Sequence, residues 1–111
     1  MPIFKARTSV AAGAVANPLA GSIYEYLPFN AALEIGLVQQ SGNAGDILAT
    51  VNSGPDTLQE EGPITVAARA PLYPDDFDLT DDAAQGDRLA IRLRNTTAGA
   101  LVVLTTIKFN V

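Results

Sequence analysis

Five aspartates crowd into eight residues of the stretch DDFDLTDD: Asp75, Asp76, Asp78, Asp81 and Asp82. A run of this kind supplies only hard oxygen ligands, which suits Ca²⁺. Its spacing does not follow the EF-hand loop, because no glycine sits at the turn position and no glutamate closes the run. Carboxylates this close repel one another, and the repulsion costs stability unless cations lie nearby. Three readings are open: a solvated acidic loop with aspartates at turn starts, a calcium site, or one half of a salt-bridge surface between subunits. Cations do follow closely in the chain. Arg88, Arg92 and Arg94 alternate with Leu89, Ile91 and Leu93 in DRLAIRLRN, so a strand here presents three guanidiniums on one face. Lys108, on the final apolar segment, is expected to join them. Arginine pairs bidentately with carboxylates and is enriched at interfaces. The stripe therefore reads as a subunit contact, against Asp75, Asp76, Asp78, Asp81 or Asp82 of a neighbour, as a weak phosphate contact, or as a solvated outer sheet face.

The stretch SIYEYLPFN concentrates aromatic residues. On a strand, Tyr24 and Tyr26 share a face; outward they form a stacking platform for a sugar ring or a partner, inward they belong to the core. Glu60 and Glu61 are adjacent and would diverge on a strand, so they are a poor pair for glycoside hydrolysis. The chain has no cysteine, histidine or tryptophan. Zinc sites built from Cys and His are excluded, as are disulfides, and the commonest general base is missing. Nucleophile-elbow, phosphate-loop and dinucleotide fingerprints do not occur. The expectation is a protein without catalytic residues and without a cofactor.

Composition sets the frame for these residues. With 111 residues the natural count is one domain, spanning 1–111. Hydrophobic residues make up 48% and charged residues 17%. That argues against disorder, and the charged share lies below the roughly 25% of an ordinary soluble domain. A lightly charged surface suits a chain that hides much of itself in an assembly. The net charge of −5 repels phosphate backbones, so no direct nucleic-acid contact is expected. No apolar run reaches the roughly 20 residues that cross a bilayer as a helix, and no secretory leader is expected at the start.

The elements that must position the charged patches are strands. Period-2 alternation dominates, punctuated by Gly, Pro, Asn and Asp. Strands are predicted over residues 3–10, 22–27, 31–40, 46–53, 64–70 and 87–95, then along LVVLTTIKFNV, with a short one around 77–79. SGNAGD reads as the turn of a hairpin between the third and fourth strands, and GPDTLQEEGP as a polar loop. The last strand is apolar or threonine-bearing on both faces, as expected where something covers the outer face too. Seven to eight short strands at these spacings predict an all-β fold, an antiparallel β-sandwich of jelly-roll or Greek-key type.

Two segments, taken together, carry a resemblance. NPLAGSIYEYLPFNAALEIGLVQQSGNAGDILATVNSGPDTLQEEGPI and PDDFDLTDDAAQGDRLAIRLRNTTAGALVVLTTIKF resemble small virion structural proteins of bacteriophages. The YEYLP strand, the SGPDTLQEEGP loop and the AQGDRLAIRLRNTTAGA stretch carry it. The resemblance implies a subunit repeated on a capsid, in a shell-forming, decorating, cementing or minor capsid role. It implies a homo-oligomer, with a trimer favoured, partnered by other capsid proteins and located in the virion. It transfers no functional residues. The alternative reading is a carbohydrate-binding sandwich module that uses Tyr24 and Tyr26.

Overall fold

The computed structural model describes residues 3–71, 76–77 and 79–110. Among the described residues, nine strands form two sheets: β1 (Ile3–Val10), β2 (Val15–Ala16), β3 (Ala31–Gln39), β4 (Ile47–Ser53), β5 (Asp56–Pro63), β6 (Thr65–Val66), β7 (Leu79–Ala83), β8 (Leu89–Asn95) and β9 (Leu101–Asn110). The first sheet has the order β1-β9-β3, with β6 and β7 sharing the far side of β3; the second has the order β2-β8-β4-β5. The pairing is nested. β1 pairs with β9, β2 with β8, β3 with β7, and β4 with β5, all antiparallel. With β6 and β7 counted as one broken edge, this is a long hairpin folded over itself into two layers, the jelly-roll arrangement. The two-residue β6 runs parallel to β3 and is the exception to the antiparallel rule.

Hydrophobic alternation decides which way each strand faces. Leu33, Ile35 and Leu37 of β3, Ile47, Ala49 and Val51 of β4, and Leu89, Ile91 and Leu93 of β8 all point into the space between the sheets. Val103, Ile107 and Phe109 of β9 join them. Burying one such aliphatic side chain contributes about 1.5–3 kcal/mol, whereas an exposed ion pair contributes about 0–1 kcal/mol. The apolar triplet of β8 therefore fixes that strand's orientation, and its arginines follow outward.

The predicted covering of the last strand is present in part. Ala70, Pro71 and Phe77 lie over the outer face of the first sheet, against Thr106 and Lys108 of β9. Gly36 of β3 makes room for this strap. A Cβ there would stand 3.0 Å from the Pro71 Cβ and 3.2 Å from the Phe77 ring.

Several expectations are corrected. Residues 22–27 are not a strand: Ser22 N–H donates to Leu19 O and Glu25 N–H to Ser22 O, so the segment is a chain of turns, which meets the edge of the second sheet at an isolated bridge between Tyr26 and Arg88, where Leu89 N–H donates to Glu25 O. The third and fourth strands do not form a hairpin, because β3 and β4 lie in different sheets. The true hairpin joins β4 to β5 through Gly54 and Pro55, with Gly54 at φ 57°, where a Cβ would come within 2.8 Å of Asp87. The supposed polar loop is thus β5, an edge strand whose register to β4 shifts twice. The strand predicted over 64–70 shrinks to β6, and the short one around 77–79 is displaced to β7.

Candidate functional site

The surface charges are sorted by which sheet carries them. Side chains of β8 alternate, so Arg88, Arg92 and Arg94 lie on the outer face of the second sheet, as predicted. Two of the three are paired within the chain. Arg88 Nη2 donates to Glu25 Oε2 at 3.2 Å, and Arg94 Nε donates to Glu61 Oε2 at 3.0 Å. Arg92 stands between them, exposed and without an ion pair among the described residues. Around these cations Val15 is 47% exposed and Tyr26 58%, and Tyr26 sits directly opposite Arg88 across the bridge. This face is a mixed apolar and cationic surface with no strap over it among the described residues.

Lys108 is not part of that stripe. β8 and β9 belong to different sheets, so Lys108 projects from the opposite side of the sandwich. There its Nζ lies 5.9 Å from the centre of the Phe77 ring, and its strand neighbours are Ile3 and Glu34.

The aspartate run does not act as a unit. Asp75 and Asp78 lie outside the described residues. Asp76 is buried and ion-paired with Arg69, seven residues earlier in the chain. Its charge is met inside the molecule, which corrects the expectation that it serves a neighbour's arginine. Asp81 and Asp82 are successive residues of β7, so their side chains leave on opposite faces. Among the described residues no three carboxylates come together in a way that could hold a metal ion.

The tyrosines separate as well. Tyr24 turns inward and stacks on Phe109 with ring centres 4.5 Å apart, in a cluster with Phe4 at 6.2 Å and Phe29 at 6.4 Å. Tyr26 faces solvent. Because residues 22–27 are turns and not a strand, the shared face expected for this pair does not form. Glu61 is taken up by Arg94, and its backbone at φ 48° belongs to the irregular end of β5, where Glu61 N–H donates to Thr50 Oγ1. Glu60 is exposed beside it.

Two charges escaped notice in the sequence reading. Lys5 and Arg7 alternate along β1 and point outward, exposed, with no ion pair among the described residues. Their spacing of two within an apolar alternation is the signal that could have found them. Comparison with known proteins adds no assignment: no protein-family profile matches the chain, and no curated protein matches it.

Proposed function

We propose that the protein is a virion structural subunit, a small capsid-associated protein of the decoration, cement or minor capsid kind that works by self-assembly and by packing against capsid proteins. Jelly-roll sandwiches serve both as capsid subunits and as sugar-binding domains, so the fold supports the reading without choosing it. The observation that carries the reading is the contrast between the two outer faces. The first sheet is strapped by its own chain at Ala70, Pro71 and Phe77. The second leaves Val15, Tyr26 and Arg92 exposed on one continuous side. Aromatic and arginine side chains on an otherwise lightly charged protein are what an interface core selects. The two bacteriophage-like segments of the sequence give the same direction. The sugar-binding alternative loses its two-ring platform, because Tyr24 is spent on Phe109.

Sedimentation velocity of the purified chain, from micromolar to near-millimolar concentration, tests the reading. A rise in mass with concentration is expected. A chain that remains monomeric throughout and binds sugars on a glycan array would replace the assembly reading with the sugar-binding one.

A further inference from the structure

We propose that copies of this chain join edge to edge through the first sheet, with β1 of one copy adding as an antiparallel strand to β7 of the next. The inference rests on the assembly reading above and names the partner as a second copy. It starts from the edges. β1 pairs with β9 over eight consecutive residues, from Ile3 opposite Lys108 to Val10 opposite Leu101, with no register shift. Its other side carries no strand among the described residues, so one row of backbone N–H and C=O groups stands ready to pair. The other edges are blunted. β2 and β6 are two residues long, and β5 is bulged and ends in Pro63. Among the described residues, the edge of useful length besides β1 is β7, on the far side of the same sheet.

Charge then chooses between partners. Lys5 and Arg7 project from β1, and Asp81 and Asp82 from β7; none of the four has an ion pair among the described residues. Among the described residues, charges of opposite sign without an ion pair thus stand on the two edges of this one sheet. Asp81 and Asp82 also border, with Glu34, a surface hollow of about 370 Å³. Pairing β1 with β1 of a second copy would set Lys5 and Arg7 against the same cations, which is destabilising. Pairing β1 with β7 sets them against Asp82, whose side chain leaves β7 on the same outer side, whereas Asp81 leaves on the inner side with Leu33. The strand directions agree: β1 opposes β9, β9 opposes β3, and β3 opposes β7, so β1 and β7 run antiparallel when the sheet continues from copy to copy. The faces agree too. Lys5, Arg7 and Asp82 all lie on the outer side of the sheet, by their register to Thr106, Leu104 and Ala32. Because the two edges are different surfaces, the contact is head to tail. It closes into a ring or runs on as a filament.

The test uses the full chain and two charge-swapped variants, Lys5→Glu with Arg7→Glu, and Asp82→Lys, the β7 carboxylate on the same outer side as the two cations. Circular dichroism establishes that each is folded, and sedimentation velocity reads association. Each variant alone should associate roughly 30-fold or more weakly than the wild type, because the contacts of Lys5 and Arg7 with Asp82 turn from attractive to repulsive. An equimolar mixture should recover the association, since every acidic edge then meets a basic one. A neutral variant, Lys5→Gln with Arg7→Gln, should weaken association by roughly fivefold, and it decides the matter if a swapped variant fails to fold. Wild-type association that neither the swaps nor the neutral variant changes would overturn the edge pairing and leave the assembly reading standing on another surface. Folded swaps that stay apart when mixed would also overturn it. A wild type that is monomeric at every concentration would overturn both.

Discussion

Gln39 shows how one side chain can route the chain between layers. It is fully buried at the end of β3, and its amide is spent on the crossing to the second sheet. Nε2 donates to Ser41 O at 2.6 Å and to Asn43 O at 3.2 Å, while Ile47 N–H donates to Oε1 at 3.3 Å. These bonds satisfy backbone groups that neither sheet ladder reaches. Replacing Gln39 with alanine leaves them without that partner, and the cost should be about 2–3 kcal/mol. Gln39→Glu should cost more than Gln39→Ala, because it buries a carboxylate against two carbonyl oxygens that need a donor. Urea denaturation midpoints of the two variants check both the size and the order. Asn95 does similar work at the other crossover. Its Nδ2 donates to Val10 O and Gly99 O, and its Oδ1 accepts from Thr97 N–H and Oγ1–H. The arginines are a contrast. Their internal pairs with Glu25 and Glu61 are exposed, and each contributes at most about 1 kcal/mol.

Among the elements, legibility follows burial. β8 could be read residue by residue, because Leu89, Ile91 and Leu93 alternate with polar neighbours and nothing else competes. β3 and β4 were equally clear as strands, yet their connection was not. Period-2 patterning gives the face of a strand but not the sheet it joins, and SGNAGD looks the same as a hairpin turn or as a crossing between layers. β5 was missed because an edge strand with a solvated face carries Asp56, Thr57, Gln59, Glu60 and Glu61, which read as loop. The tyrosine segment was misread in the opposite sense: its β-favouring residues are held in turns, with Ser22 Oγ accepting from Tyr24 N–H and Asn17 Oδ1 from Leu19 N–H. The charge stripe on β8 was visible, but its glutamate partners lie 63 and 33 residues away and come from just those two misread segments. The strap offers a prediction at this scale. Gly36→Ala should push its Cβ into Pro71 and Phe77 and destabilise the fold by about 1–3 kcal/mol, the usual cost of overpacking. Thermal unfolding followed by circular dichroism measures it; an unchanged midpoint would mean that the strap does not rest on β3.

At the scale of the whole molecule, the proposed contacts would fall to the two sheets differently. The second sheet turns a broad mixed face to one side, and the first ends in two edges of opposite charge. Copies joined along those edges would line up their second sheets, so the exposed Val15, Tyr26 and Arg92 would repeat along one side of the ring or filament and meet a larger partner together. Such repetition converts weak single contacts into strong attachment without any new contact within each copy. The two kinds of force should separate in salt. The core is apolar, and the exposed ion pairs contribute little to it, so raising ionic strength from about 0.05 M to about 0.5 M should shift the unfolding free energy by less than about 1 kcal/mol. Lys5, Arg7 and Asp82 are exposed, and their attraction across copies is screened as the Debye length falls below about 10 Å. Association between copies should therefore weaken by roughly tenfold over the same range. Sedimentation at the two ionic strengths, beside urea melts under the same conditions, gives both numbers. Association that holds or tightens in salt would point to apolar contact, and the exposed Val15 and Tyr26 at the second sheet would then be the surface through which copies meet.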